Sequence, residues 1–191
     1  MSQNFLTNAS FHLLLNTIDQ ELADKTRQQG CHFCGCKLHL ADYPRSPFGI
    51  APPFRNSYES RLSFCCGTCR KRTTPPSVRF FGRRWFPAPL FVFISALMHG
   101  VNQRRREQVK RYFGIAVSIS TLRRWQRWWR ESFIATKFWQ QAKGSFSPSD
   151  QMIYGPFPRV LLNEFKGLVS EKIILLLPFL SPLTAGDLRA V

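Results

Sequence analysis

The chain has 191 residues, 44% of them apolar, with 27 Lys and Arg against 11 Asp and Glu, a net charge of +16 and an isoelectric point near 10.4. That apolar share excludes wholesale disorder and suffices for one medium domain or two small ones, while so large a positive excess is foreign to ordinary cytosolic enzymes and leaves nucleic acid or an anionic membrane as the expected partner. The longest apolar runs, Pro87 to Met98 and Ile173 to Leu180, fall well short of the roughly 20 residues needed to cross a bilayer, so neither is a transmembrane helix.

From the N-terminus, Asn8 or Ser10 can cap a helix running to about Gln29, with Gly30 as its stop. Phe11, Leu13, Leu14, Leu15, Ile18, Leu22 and Ala23 make one broad apolar face on it. Two cysteine pairs of identical spacing follow, Cys31-x-x-Cys34 and Cys66-x-x-Cys69. A C-x-x-C turn lets two thiolates grip one metal from a single bend, and a second such turn closes a tetrahedral shell. Cys31, Cys34, Cys66 and Cys69 are therefore the expected ligands of one structural Zn2+, with no position open to water or substrate. Inert thiols or disulfides are the competing reading. The modest cysteine count, the absence of an N-terminal stretch that reads as a secretory signal, and the adjacency of Cys65 and Cys66 favour a metal corner in a cytoplasmic protein. Cys36, Cys65, His32 and His39 stay open as substitute or supporting ligands. Between the pairs, Tyr43-Pro44, Ser46-Pro47, Gly49 and Pro52-Pro53 break helices, and Arg61 to Phe64 reads as a short strand.

Charge is concentrated beyond the second pair. Fifteen of the 27 Lys and Arg lie between residues 70 and 130, thirteen of them Arg, against the single acid Glu107. Guanidinium groups engage phosphate or guanine through paired hydrogen bonds, and a merely solubilising surface would mix the signs. Arg70, Lys71, Arg72, Arg79, Arg83 and Arg84, interleaved with Val78, Phe80 and Phe81 and kept from helix by Pro75 and Pro76, read as an extended arm along a phosphate backbone.

Next, Pro87 or Pro89 opens an apolar helix, Leu90 to Met98, stopped by Gly100. A basic helix, Arg104 to Phe113, carries Arg104, Arg105 and Arg106 and ends at Gly114. After a turn at Ile115 to Val117, Ser118 or Ser120 caps a third helix, Thr121 to Arg130. On it Leu122, Trp125 and Trp129 recur at three and four residues and should face a core, leaving Ser120, Arg123, Arg124 and Arg127 on other faces. An anchored, capped helix with polar residues near its N-terminus is the grammar of a helix-turn-helix. Residues 144 to 158 read as a linker, 159 to 180 return to helix, and the tail from Ser181 is expected to fray.

This order of parts resembles the N-terminal DNA-binding region of insertion-sequence transposases. The stretch Cys66-Gly-Thr-Cys-Arg-Lys-Arg-Thr-Thr-Pro-Pro-Ser-Val-Arg-Phe-Phe-Gly-Arg-Arg also resembles small zinc-ribbon proteins found with mobile elements. Over residues 31 to 131 the resemblance implies binding of element ends or regulatory DNA, with the four cysteines as ligands and Thr121, Arg123, Arg124 and Arg127 as recognition-helix positions. Such transposases continue into a catalytic domain that sets three carboxylates around magnesium. Beyond Glu131 only Asp150, Glu164, Glu171 and Asp187 remain, on roughly 60 residues, too few for that scaffold. The histidines are scattered, and neither a Gly-rich phosphate loop nor a Ser/His/acid arrangement is present.

The expectation is a mainly α chain with a small zinc ribbon (α+β). Its segments are an N-terminal helix (1–30), zinc ribbon with basic arm (31–84), helix-turn-helix three-helix unit (85–143), and linker with C-terminal helices (144–191). Its expected role is that of a non-catalytic DNA-binding accessory or regulatory protein of a mobile element, on the nucleoid in the cytoplasm. Duplex DNA, a recombinase or transposase, and a second copy of the chain are its expected partners. Binding of structured RNA, or service as a basic subunit of a larger recombination complex, are the alternatives.

Overall fold

A computed structural model describes residues 4–81, 86–97, 100–146 and 156–185. The chain is mostly helical with a small antiparallel sheet, and it divides into two compact units. One comprises residues 4–88 with 177–190; the other is the intervening 89–176.

In the first unit, helix α1 (Ala9–Gln29) starts where Asn8 accepts a hydrogen bond from the Ser10 N–H at 2.8 Å and ends at Gly30, whose φ of 73° and N–H donation to Arg27 O close its last turn. Its buried stripe is Phe11, Leu15, Asp19 and Ala23, each four residues after the last, joined by His12. The broad apolar face expected from the sequence is thus narrower: Leu13 is 66% and Leu14 40% exposed, and an aspartate occupies the third place of the stripe. Burial pushes the His12 imidazole below its usual range, so the neutral ring donates to Leu6 O and accepts from the Tyr58 hydroxyl at 3.0 Å.

Strands β1 (Leu38–Leu40), β2 (Tyr43–Pro44), β3 (Ser60–Arg61), β4 (Phe64–Cys66) and β5 (Arg72–Thr73) pair antiparallel as β1-β4-β5 and β2-β3. The registers Leu38↔Cys66 and Cys65↔Arg72 fix the sheet. The strand expected over residues 61–64 is divided between β3 and β4, because Arg61 turns inward and is bound by Pro75 O at 2.6 Å and Thr184 O at 3.3 Å.

Residues 75 and 77–81 are buried, which corrects the expected phosphate-tracking arm. Asp19 organises them. Its carboxylate accepts from the Ser77 hydroxyl at 2.6 Å, the Val78 N–H at 2.6 Å and Arg79 Nε at 2.8 Å, while Ser77 Oγ accepts from the N–H groups of Arg79 and Phe80. The start of the tail is corrected likewise, and its residues 186–191 lie outside the described residues. Ser181, Leu183 and Thr184 are buried in a 3-10 turn, where Thr184 Oγ1 accepts from the Ser77 N–H at 2.6 Å.

The second unit holds most of α2 (Ala88–Leu97), then α3 (Gln103–Phe113) and α4 (Ile119–Arg127), which runs on into a π-helical turn, Trp128–Phe133. Next come α5 (Lys137–Ala142), α6 (Arg159–Glu164) and most of α7 (Val169–Leu180). Asn102 caps α3 by accepting from the Arg105 N–H, and Gly114, at φ 66°, ends it. Its core is aromatic: Phe91 stacks on Trp129 at 5.4 Å and meets Trp125 edge-on at 5.3 Å, and Trp129, Phe133 and Trp139 continue the chain of contacts. Such ring pairs add about 0.5–1.5 kcal/mol each beyond their buried area. Among the described residues no helix is long and apolar enough to cross a membrane.

Candidate metal centre

Cys31 and Cys34 lie just after α1, and Cys66 and Cys69 just at and after the end of β4, so a helix end and the end of the central strand bring the two turns together. The four Sγ atoms all lie within 4.8 Å of one another, and Cys31–Cys69 and Cys34–Cys66 are each 3.5 Å apart. Four sulfurs each about 2.3 Å from a central ion stand about 3.8 Å apart, whereas a disulfide would draw two of them to about 2.05 Å. The cluster is therefore of tetrahedral metal size, and all six cysteines are free thiols. Cys31 and Cys66 are buried with Ala23, Leu38 and Phe64, Cys69 packs half-buried against the same core, and Cys34 is exposed.

The donor chemistry fits a cation as well. The backbone N–H groups of Cys69 and Thr68, together with the thiols of Cys34 and Cys69, hold Cys66 down at about 6. For Cys34 the Cys36 N–H favours the thiolate, but the surrounding thiols and burial push it up to about 12; Cys69 is also raised despite the favourable Lys71 N–H. Negative charge is favoured on Cys66 and disfavoured on Cys34 and Cys69, as expected of thiols crowded without a counter-ion. A dication at their centre would remove that penalty. The four residues fit one structural metal ion with no further position for water or substrate.

The surplus candidates fall outside the cluster. Cys36 donates to Cys34 O, Cys65 donates to Arg70 O and Cys66 O, and the His39 ring packs close against Gly67. They frame the turns rather than contribute to the four-sulfur shell.

The two turns share two backbone hydrogen bonds. Gly35 N–H donates to Cys31 O and Arg70 N–H to Cys66 O; Cys31 N–H donates to Cys36 O and Cys66 N–H to Lys71 O. Gly35 and Arg70 thus hold equivalent places, at φ 70° and 59°. Left-handed backbone costs a residue with a Cβ about 1–2 kcal/mol that glycine escapes. A Cβ on Gly35 would meet nothing within 4 Å, so Gly35→Ala is expected to lower stability by about 1 kcal/mol through backbone alone, and Arg70→Gly to raise it by several tenths to about 1 kcal/mol. Urea midpoints at unchanged metal content check both signs.

The expected DNA-contacting residues scatter in their fates. Arg79 is 4% exposed and bound to Asp19 and Ser57 O, so burial removes it from any nucleic-acid surface. Arg72 is exposed but donates to Ala41 O and to Ser63 Oγ. Arg70 and Lys71 are exposed beside the metal centre; Arg83 and Arg84 lie outside the described residues. In the second unit Arg104 is exposed, Arg105 reaches Gly100 O at 3.5 Å, and Arg106 pairs with Glu107 at 2.6 Å.

On α4, Ser118 rather than Ser120 supplies the cap, accepting from the Thr121 N–H at 3.1 Å; Ser120 is exposed beside it, and Thr121 Oγ1 accepts from Arg124. Leu122, Trp125 and Trp129 are buried as the spacing predicts, and Arg123, Arg124 and Arg127 are exposed. Sequence reasoning missed the Asp19–Ser77–Arg79 cluster, although an acid at a four-residue step between Leu15 and Ala23 is a legible warning of a buried partner. It also missed Phe33, 46% exposed on the first turn.

No protein-family model, curated protein or solved structure matches the chain.

Proposed function

We propose that this chain is a zinc-stabilised, sequence-preferring DNA-binding protein without chemistry of its own, in which α3 and α4 act as a helix-turn-helix. The observation that carries the reading is the division of α4 and its π-helical continuation into a fully anchored side, Leu122, Trp125 and Trp129, and an exposed cationic side, Arg123, Arg124 and Arg127, behind an N-terminus capped by Ser118. Anchoring fixes the helix; its free arginines suit base edges and its N–H groups suit a phosphate. The accessory or regulatory role in a mobile element, and a recombinase or transposase as protein partner, follow from the resemblance of residues 31–131.

The metal centre supports this reading as rigid packing: a closed four-thiolate shell ties α1 to the sheet and leaves no open coordination position. Fluorescence anisotropy across duplex libraries at several salt concentrations tests it. Affinity should fall linearly with salt on a log–log plot, at about 0.9 per phosphate neutralised. Arg104→Ala should weaken all sequences alike and reduce that slope by about 1. Arg123→Ala should cost about 1–3 kcal/mol at the preferred site and relax the preference there. Equal losses for both variants on every duplex would remove the groove-reading claim.

A further inference from the structure

The tips of the two cysteine turns carry a second contact. We infer that Phe33, Arg70 and Lys71 form a binding site for an unpaired nucleotide of DNA, Phe33 stacking the base and the two cations taking its phosphates. This rests on the nucleic-acid reading above and adds a substrate class to it: duplex that carries a frayed or single-stranded end.

Arg70 is the first observation. Among the described residues it alone, apart from glycines, adopts a positive φ, and it does so where the matching turn has Gly35. Backbone energy favours glycine at both places, so the fold itself has no use for a side chain here; strain of this kind marks positions where the side chain serves something else.

Phe33 is the second. A large apolar ring nearly half exposed on a metal-braced turn, with the His32 ring tilted against it at 3.7 Å between centroids and Lys71 Nζ from the other turn 3.9 Å from its centroid, is an aromatic platform. An exposed cation–π contact is worth about 0.5–1 kcal/mol, whereas a base stacked on an aromatic side chain is worth about 1–3 kcal/mol. A base therefore displaces the ammonium from the ring, and the flexible lysine stem lets that ammonium move to the adjoining phosphate. Charge gives the third observation. No Asp or Glu occurs at residues 25–41 or 60–72, and among the described residues neither Arg70 nor Lys71 forms an ion pair. An anionic strand meets no repulsion there, and an internal duplex base, stacked on both sides, offers no face to the ring.

The test uses the full metal-loaded chain and anisotropy on three probes of one sequence: a blunt duplex, the same duplex with a short single-stranded overhang, and that overhang made abasic. The overhang should bind more tightly than the blunt end. Phe33→Ala should weaken overhang binding about 5- to 30-fold while leaving the blunt duplex within twofold, and Phe33→Tyr should restore it. The abasic probe should lose a similar factor with the native chain and nothing further with Phe33→Ala. Arg70→Gly should weaken the overhang complex while raising the urea midpoint, a combination that damage to the fold does not produce.

Equal affinity for blunt and overhang probes, or equal losses on both with Phe33→Ala, overturns the site and leaves the α4 reading standing. Phe33-dependent binding of the overhang with no binding of blunt duplex keeps the site and removes the groove reading. No binding to any probe removes both, and tenfold tighter binding of an all-RNA strand overturns the assignment to DNA.

Discussion

Cys66→Ser should leave the chain unable to hold its metal and should unfold residues 31–73 with it. The serine hydroxyl replaces the thiolate that this site ionises most readily, the one held near 6, and it replaces a sulfur that also accepts the Cys69 N–H at 3.4 Å. Structural zinc contributes apparent binding free energies of about 10–16 kcal/mol at neutral pH, as large as the whole stability of an ordinary domain at about 5–15 kcal/mol. The strands here are two or three residues long and offer little to replace it. Elemental analysis should give one ion per native chain and none for the variant. Co2+ loaded in its place should show thiolate charge-transfer absorption that the variant lacks, and a chelator should reproduce the loss of structure by circular dichroism.

The pH dependence has a definite sign. Before metal binds, Cys34 and Cys69 are held protonated by raised pKa values, and metal must expel those protons. Affinity therefore rises with pH and falls on acidification; Cys66 begins to protonate as the pH drops through about 6, which sharpens the loss there. A metal affinity indifferent to pH across that range would show that these thiols are not the ligands.

Asp19→Ala is expected to destabilise the first unit by about 3–5 kcal/mol, because it strands the guanidinium of Arg79 in the interior. Both side chains are essentially inaccessible, at 1% and 5% exposure. Ser77 Oγ and the Val78 N–H lose the same acceptor, and each buried group left unpaired costs about 1–3 kcal/mol. Urea unfolding should show the fall in midpoint. The double variant Asp19→Ala, Arg79→Met should recover part of it, since the Arg79 charge goes with its partner while buried Arg61 still lacks the Asp19 carboxylate, whereas Arg124→Ala on α4 should shift the midpoint by less than about 0.5 kcal/mol.

What the sequence disclosed was local. The Asn8 and Gly30 ends of α1, the Gly114 stop of α3 and the buried Leu122, Trp125 and Trp129 of α4 depend on neighbours within four residues, and their residue types state their roles. The four-cysteine cluster was legible for a different reason: two C-x-x-C turns of the same length carry their geometry in their spacing. Arg79 was not legible. An arginine bound for phosphate and one bound for a carboxylate 60 positions away look alike in a basic run, and only the fold brings Asp19 to it. The same long reach hid Ser181 to Thr184, whose burial depends on Ser77 and Arg61 rather than on adjacent residues.

That long reach bears on how the polypeptide is made. Thr184 supplies acceptors to Ser77 and Arg61, partners 107 and 123 positions upstream, with the whole of the second unit between them. During synthesis the earlier segment therefore leaves the ribosome with two inward-facing donors waiting, and the inserted helices must emerge before it can close. A helical insert that folds early shortens the effective loop to be closed, so the assembly of one unit assists the completion of the other by chain connectivity alone.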